Sequence, residues 1–456
     1  MSTAPSDSVL GHEDKAAVEA LRAVVRIATV AHRDADVHDP EPFDDFVEEL
    51  AGRFPLLHEA CEITQHCGHA LLLRWPGRGP AHQDATAGPV VLMAHSDVVP
   101  IDPDDDWQHP PFSADLADGF IWGRGTLDCK GSLIALCSAA ERLLAEGFSP
   151  RRDIWFSFGC NEEIAGTAAT SAIELLQARD VRPWFVLDEG GAVVDDGFPG
   201  MTGPIAMIGV AEKGLLDLEL RAEAAGGHAS TPTRGGATAT LARAIVRLDE
   251  HPFPTNVPAA TVAMLEVMAT RLRAPLGRAL ALLTKRPRLL AAALQRAGAE
   301  PAAMTRTTTA ITQLRGSRGA NVIATTATAT VNLRIMIGET VEGTIEQVRR
   351  IVRDNDVTLT ALSSSEPSAV APVDEAFELL GETLAAVMPD VVPAPYVVMA
   401  ATDGRFFQQS FPRVYRFNPF RMSVDLRRTL HNVDERIGVA DYLEGIRWYA
   451  ALLGRL

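Results

Sequence analysis

The sequence predicts an α/β protein in which a smaller α+β domain is inserted into a larger domain built on a mostly parallel sheet. Short continuous apolar runs alternate with helical periods in the first half of the chain, a pattern typical of strands that are buried on both faces of a parallel sheet. Near Gly214 the pattern changes to runs of alternating polarity, and a Ser/Pro/Ala segment at 363–373 returns the chain to α/β character. We therefore expect three segments, 1–213, 214–365 and 366–456.

Helices of the larger domain are predicted where apolar residues recur every three or four positions. Its strands are predicted where four or five consecutive residues are apolar. The predicted helices are 12–29, 42–54, 131–146 and 439–453, and the predicted strands are 90–94, 154–158 and 184–187.

The inserted domain is predicted to have the order β-α-β-β-α-β, which is the split-βαβ sandwich. Its predicted elements are strand 215–222, helix 238–249, strands 307–314 and 322–336, helix 341–352 and strand 357–362.

A basic and apolar stretch at 271–296 does not fit this order. It holds seven Arg or Lys residues and no acid among Leu and Ala. One interpretation is a solvated helical face with its own core stripe. The other is a surface for an amphiphile or a partner subunit, and it motivates the hypothesis that this part of the inserted domain receives a hydrophobic acyl group or an apolar side chain.

Composition excludes several classes of protein. The 456 residues include 42 Lys and Arg against 59 Asp and Glu, a net charge of −17, which argues against general nucleic-acid binding. No uncharged apolar run approaches the roughly 18 residues of a membrane span.

Cysteine usage and the start of the sequence bear on location. Five cysteines without a C-x-x-C pair argue against a disulfide framework and against a thiolate zinc site. The first residues carry acids and lack a basic segment before an apolar core, so no secretory signal is predicted. We therefore expect a cytoplasmic protein.

Chemically functional side chains follow the predicted strands. His95-Ser96-Asp97 comes after strand 90–94, Asn161-Glu162-Glu163 follows strand 154–158, and Asp188-Glu189 follows strand 184–187. Asp128 lies just before helix 131–146. Because parallel sheets build their sites at the carboxyl ends of strands, we expect one crevice to hold a His and several carboxylates.

Crowded carboxylates repel one another unless cations neutralise them. Imidazole and carboxylate ligands without thiolate suit zinc, cobalt or manganese, and two adjacent metals with such ligands form a hydrolytic arrangement. Each cluster alone has a structural explanation: a lone His-x-Asp is weak, a Glu-Glu pair is usually a solvated helix start, and Asp128 is a plausible N-cap. The three clusters that directly follow buried strands are hard to explain by capping.

Eight motifs in order resemble the dinuclear-zinc exopeptidase and deacylase family, which includes aminoacylase, succinyl-diaminopimelate desuccinylase and glutamate carboxypeptidase. Several of them look closest to the carboxypeptidase S and N-fatty-acyl-amino-acid hydrolase branch. The motifs are LMAHSDVVP, GRGTLDCKGS, NEEIAG, VLDEGG, GGHAS, NVI with VNLR, ATDGRFF and LHNVDE, between about residue 90 and the C-terminus.

The resemblance implies two zinc ions, or cobalt or manganese. It implies that His95 and Asp188 bind one ion, that Glu163 and His431 bind the other, and that Asp128, followed by a cis peptide to Cys129, bridges both. Asp97 is implied to orient His95. Glu162 is implied to take a proton from the attacking water and to pass it to the leaving amine.

The resemblance also implies that the inserted domain is a lid and dimerisation domain of a homodimer. His228, from the partner subunit, is implied to stabilise the tetrahedral oxyanion. Asn321 and Arg334 are implied to hold the substrate's oxygen and α-carboxylate, with Thr402 and Gly404 lining the same end. From the residues alone, Arg334 is equally well a surface strand residue and His228 a loop residue.

These observations favour a hydrolase that cleaves the amide bond of N-acyl amino acids or short peptides with a free α-carboxylate. A dipeptidase and a biosynthetic deacylase of narrow specificity remain alternatives. A metal-dependent binding protein without catalysis is a third, and the completeness of the motifs argues against it.

Overall fold

The computed structural model describes residues 11–34, 36–78, 88–195 and 200–456. The strands are β1 (Glu62–His66), β2 (Ala70–Trp75), β3 (Val90–His95), β4 (Asp115–Ala117), β5 (Phe120–Trp122), β6 (Ile154–Gly159), β7 (Phe185–Asp188), β8 (Val193–Val194), β9 (Ile205–Glu212), β10 (Gly214–Glu223), β11 (Gly227–His228), β12 (Thr308–Arg315), β13 (Val322–Ile323), β14 (Thr326–Ile335), β15 (Val357–Ser365), β16 (Val392–Val398), β17 (Val414–Arg416) and β18 (Arg436–Gly438). The helices are α1 (His12–Val25), α2 (Glu41–Arg53), α3 (Pro55–Ala60), α4 (Lys130–Ala145), α5 (Ala168–Ala178), α6 (Ala237–Glu250), α7 (Ala259–Thr270), α8 (Leu276–Leu283), α9 (Pro287–Ala297), α10 (Ala299–Ala303), α11 (Val341–Val352), α12 (Glu375–Val387), α13 (Gly404–Ser410), α14 (Val424–Arg427) and α15 (Val439–Leu453).

The larger sheet has nine strands, in the order β1-β2-β6-β3-β7-β17-β9-β16 with β8 paired to β9. Four neighbouring strands in its middle, β6, β3, β7 and β17, are parallel to one another, and the edge strand β16 is parallel to β9. Antiparallel pairs join β1 to β2 and β2 to β6 at one edge, and they join β9 to β17 and to β8 towards the other. The predicted mostly parallel sheet is confirmed.

Alternate residues of the central strands face two different helical layers. Val90 and Leu92 of β3 lie in the core that α1, α4, α12 and α15 cover, whereas Val91 and Met93 lie in the core formed with α5 and α13. Because both faces are covered, the strands read as continuous apolar runs in the sequence.

The smaller sheet is antiparallel, in the order β12-β14-β10-β15. Helices α6 and α11 pack against it, and Leu216, Leu218 and Leu220 of β10 lie in a core separate from that of the larger sheet. The predicted β-α-β-β-α-β order is present, with the short strands β11 and β13 and the helices α7–α10 as additions.

Helices α7–α10 lie on the larger sheet. α7 contacts β16 and β9, and Met264, Leu265 and Met268 are buried there with Ile205. The stretch 271–296 forms α8 and most of α9, where Leu290 and Leu294 are buried while most of the basic side chains are exposed. The solvated helical face expected for this stretch is therefore present.

The first helix is shorter than predicted. The helix ends at Val25. At this end, the ammonium group of the buried Lys130 donates hydrogen bonds to the backbone carbonyls of Val24 at 3.0 Å and Ile27 at 2.6 Å, which takes the place of further helical hydrogen bonds. Beyond this turn, Val30 pairs with Val98.

Two expectations concern membranes and secretion. Within the described ranges, no helix combines the length and the apolar character that a membrane span requires. Residues 1–10, which belong to the segment in which no secretory signal is predicted, lie outside the described residues. All five cysteines lie in the described part and are unpaired there.

Candidate active site

The carboxyl ends of β3, β6 and β7 meet at one edge of the larger sheet. His95 is the last residue of β3, and Glu162 and Glu163 follow β6. Glu189 follows β7. Together with Asp128 and His431, the three glutamates line a cleft of about 440 Å³. The predicted convergence of strand ends is therefore observed.

The loop that carries Asp128 is held by a buried ion pair. Glu435, which is fully buried, accepts hydrogen bonds from Arg124 at 2.7 Å and from the backbone N–H groups of Gly125 at 3.0 Å and Leu127 at 2.9 Å. The peptide between Asp128 and Cys129 is cis, as the resemblance implies. This loop places the Asp128 carboxylate between two histidines.

Two groups of possible metal ligands share Asp128. One consists of His95, Asp128 and Glu189, the other of Asp128, Glu163 and His431, and within each group the ligand atoms lie within 4.8 Å of one another. Asp128 Oδ1 is 3.0 Å from His95 Nε2, and Oδ2 is 3.0 Å from His431 Nε2. Glu163 Oε2 is 3.2 Å from the same His431 nitrogen.

Asp188, which the resemblance implies as a ligand of the same ion as His95, lies outside both groups of possible ligands. Asp188 is the last residue of β7, opposite Arg416 of β17, and its Oδ2 accepts the Gly404 N–H at 2.6 Å. Glu189 comes after the last residue of β7 and lines the cleft, whereas Asp188 does not line it. The group with His95 contains Glu189 and does not contain Asp188.

Asp97 connects His95 to the turn that carries the two glutamates. Its Oδ1 accepts the Glu162 N–H at 3.1 Å, and its Oδ2 accepts the Glu163 N–H at 3.0 Å. His95 Nδ1 lies 3.0 Å from the backbone carbonyl of Asp97 and 3.5 Å from Oδ1. These contacts fix the tautomer that directs Nε2 towards Asp128.

Burial, neighbouring charges and hydrogen bonds shift the pKa values of several side chains in the cleft. Burial raises the pKa of the Glu162 carboxyl well above its usual range. Burial and the charges of Asp128 and Asp188 raise the pKa of Glu189 in the same direction. Hydrogen bonds to Asp128 and Glu163 raise the pKa of His431 to about 10. The cleft thus concentrates negative charge that a cation would neutralise.

The chemistry of these side chains fits a pair of metal ions. The ligand atoms are imidazole nitrogens and carboxylate oxygens, and neither Cys129 nor Cys160 belongs to either group. Glu163 Oε1 is buried and has no hydrogen-bond partner among the described residues. A buried carboxylate oxygen without a partner is costly unless a cation binds it.

The structure brings only some of the predicted substrate residues to the cleft. Arg334 of β14 and Thr402 line it. Gly404 is not among the lining residues, and its N–H donates to Asp188 Oδ2. His228 and Asn321 are exposed near the small β11–β13 sheet and do not line the cleft of their own chain.

Sequence reasoning missed two arginines of the cleft. Arg405 and Arg427 both line it, and Arg427 Nε is buried without a hydrogen-bond partner in the described part of the protein. Arg405 follows the TDG motif directly, and that adjacency is the one signal in the sequence that points to it. Arg427 carries no comparable signal.

Comparisons with known proteins agree with this geometry. Residues 91–455 match Peptidase family M20/M25/M40. The chain is 34% identical over 426 residues to a probable carboxypeptidase S-like protein of Dictyostelium discoideum, covering 92% of this chain and 80% of that one. It is 34% identical to the N-fatty-acyl-amino acid synthase/hydrolase of Homo sapiens, covering 98% and 89%.

Solved structures share the fold. An M20 family metallo-carboxypeptidase from Sulfolobus solfataricus superposes with a TM-score of 0.69 at 17% identity, covering 98% of this chain and 99% of the other. Enzymes of the family depend on a pair of metal ions, and the two groups of ligands that share Asp128 are the corresponding feature here. The chain therefore belongs to Peptidase family M20/M25/M40 and is a metal-dependent hydrolase of amide bonds.

Proposed function

We propose that the protein uses two zinc ions to cleave the amide bond of an N-acyl amino acid, or of a short peptide, that carries a free α-carboxylate. The observation that carries this proposal is the pair of ligand groups sharing Asp128, with Glu162 facing the same cleft. The human and Dictyostelium relatives, by their names, act on acylated amino acids and on carboxyl-terminal peptide bonds.

His95 and Glu189 would hold one ion, Glu163 and His431 the other, and Asp128 both. When bound, the ions polarise the substrate's carbonyl and increase the acidity of water. Zinc suits these nitrogen and oxygen ligands, and cobalt and manganese are alternatives to it.

Glu162 would move the proton. Its carboxylate takes a proton from water as the water oxygen attacks the carbonyl carbon. The same proton then goes to the amine nitrogen as the C–N bond breaks, which leaves one carboxylic acid and one amine. Burial in the cleft raises the pKa of the Glu162 carboxyl above its ordinary value, the direction expected of a carboxyl group that also acts as an acid.

The carboxylate end of the substrate would lie near Arg334 and Arg405. Both line the cleft beside Thr402, and a guanidinium group binds a carboxylate through two parallel hydrogen bonds. A peptide with a free carboxyl terminus presents the same group, so a dipeptidase remains the alternative within this proposal.

The change of Glu162 to Gln tests the assignment of the base. The variant should bind both ions, because Glu162 belongs to neither ligand group, and should lose at least about 100-fold in kcat. Metal content and turnover of N-acetyl-amino acids and dipeptides are the measurements. Glu174→Gln, on the exposed side of α5, is the matched control, and near-normal turnover by Glu162→Gln would contradict the proposal.

We further propose a cytoplasmic homodimer in which His228 and Asn321 complete the partner's cleft. The exposure of both residues away from their own cleft supports this arrangement, and the five unpaired cysteines support the location. Mixing His228→Ala with Glu162→Gln subunits should restore part of the activity, since some hybrid clefts would then be intact. Activity no greater than that of the separate variants would contradict the shared site.

A further inference from the structure

A second cavity adjoins the catalytic cleft. It measures about 340 Å³ and shares Gly190, Gly191, Ala192 and Arg427 with the cleft. These residues come directly after Glu189 in the chain or lie on α14, so the cleft and the cavity meet at them. The cavity therefore begins directly beside Glu189, which belongs to the ligand group with His95.

Two of the residues shared by the cleft and the cavity are glycines. Gly190 has φ +115°, a conformation that favours glycine. A Cβ atom on Gly191 would lie 2.0 Å from the Met207 carbonyl oxygen. Any other residue at Gly191 would push the backbone away from β9 and change the boundary that the cleft and the cavity share.

The interior of the cavity is apolar and rich in methionine. Five methionines line it, from β9, from α7 and from the segments beside them. They are Met201, Met207, Met264, Met268 and Met304. Methionine is unbranched and flexible, so a wall of methionines adapts to a linear chain better than a wall of branched side chains.

Charged groups are confined to the ends of this cavity. Among the described residues, its charged lining side chains are Arg427, at the wall shared with the cleft, and Glu300, which is exposed. Arg334 and Arg405, which suit the α-carboxylate, line the cleft but not the cavity. The cleft thus offers a basic environment that suits a carboxylate, and the cavity offers an apolar one that suits a hydrocarbon chain.

We propose that this methionine cavity binds the linear apolar acyl chain of the substrate, with the scissile amide at the metal centre. The proposal rests on the proposed function and adds the acyl specificity. At roughly 30 Å³ for each water-sized group, the cavity holds a chain on the order of ten carbons. Helices α7, α9 and α10 supply part of its walls, so this insertion sets the preference for acyl length.

Turnover of N-acetyl-, N-octanoyl- and N-dodecanoyl-phenylalanine tests the proposal. We expect kcat/KM to rise at least about ten-fold from acetyl to dodecanoyl, because each methylene that leaves water favours binding. Ala297→Trp, at the exposed end of α9 on the cavity's rim, should remove most of this gain and leave N-acetyl turnover within about two-fold. Ala279→Trp, an exposed alanine of α8 outside the cavity, is the matched control.

Binding of dodecanoate to the zinc-loaded protein, measured by calorimetry against acetate, separates two kinds of failure. If no acylated amino acid is cleaved but dodecanoate binds more tightly than acetate and Ala297→Trp weakens it, the proposed function fails and the cavity assignment stands. Equal kcat/KM for acetyl and dodecanoyl substrates, with dodecanoate bound no more tightly than acetate, would overturn the cavity assignment.

Discussion

At the scale of single residues, the two consecutive acids at the end of β7 have different partners. Asp188 completes the strand and accepts a hydrogen bond from the Gly404 N–H, and Arg416, opposite it on β17, forms a buried ion pair with Glu212. Glu212 in turn accepts hydrogen bonds from the Thr402 N–H at 2.9 Å and hydroxyl at 2.8 Å. Asp188 therefore supports the loop that lines the cleft, while Glu189 enters the cleft itself.

Two neighbouring substitutions separate these roles. Glu189→Gln should reduce bound metal from two ions towards one and lower kcat/KM by more than about 100-fold, since a ligand is lost. Asp188→Asn should keep both ions and lower kcat/KM by about 10-fold, because Asp188 supports the loop of Thr402 and Gly404, and loss of a supporting hydrogen bond next to a metal site has an effect of this order. The measurements are the number of metal ions bound per chain and the steady-state kcat/KM of each variant. If Asp188→Asn loses an ion and Glu189→Gln keeps both, Asp188 is the ligand.

At the scale of secondary structure, helix α15 carries an unfavourable charge in its first turn. Burial and the nearby charge of Glu444 raise the pKa of Asp441 to about 6. Between its ordinary pKa and this value the folded protein binds more protons than the unfolded chain, so stability falls as pH rises through about 4 to 6. Above pH 6 the carboxylate is ionised in both states, and the destabilisation is constant.

The change of Asp441 to Asn should therefore stabilise the protein at neutral pH. We expect a gain of about 3 kcal/mol in the free energy of unfolding at pH 7, since the pKa rises from its ordinary value of 3.8 to about 6 and one pKa unit corresponds to about 1.4 kcal/mol. At pH 4 the gain should vanish. Urea unfolding at both pH values measures the difference, with the exposed Asp425→Asn in α14 as control. A gain that is equal at the two pH values would exclude the titration of Asp441 as its cause.

Local patterns predict secondary structure and strand ends well, but they do not predict which elements pack together. The apolar runs locate β3, β6 and β7 to within a residue or two, and with them His95 and the two glutamates that follow β6. His431 lies in a loop without periodicity, and only the motif resemblance pointed to it. The packing of α7 on β16 forms the methionine cavity, and no local pattern encodes that contact.

At the scale of the whole molecule, the chain crosses between the two sheets at two adjacent points. β9 of the larger sheet continues into β10 of the smaller sheet through Lys213, and the return segment bonds β9 through the Ser368 N–H to the Glu212 carbonyl at 3.1 Å. Lys213 donates hydrogen bonds to the carbonyls of Ala303 and Arg306, both at 2.7 Å. These contacts join the end of the α7–α10 insertion to the crossing.

The two sheets have separate cores, and every proposed metal ligand belongs to the larger unit. The ligands lie far apart in sequence, since Asp128 bonds His431 across 303 positions. Ions that bind only the folded state stabilise it, by about 4 kcal/mol at a thousand-fold excess of free ion over its Kd. This stabilisation should therefore act on the larger unit and not on the four-stranded sheet.

Removal of the ions with a chelator, followed by hydrogen exchange, tests this separation. Amides at 95–97, 127–130, 160–163 and 428–436 should lose protection, because without cations the carboxylates of the cleft repel one another and the loops they hold can open. Amides of β10 and β14 should keep their protection, since the core of the smaller sheet contains no metal ligand. Zinc added back should restore the first group. Equal loss of protection in both sheets would mean that the smaller sheet depends on the larger unit for its stability, and that metal binding stabilises the molecule as one cooperative whole.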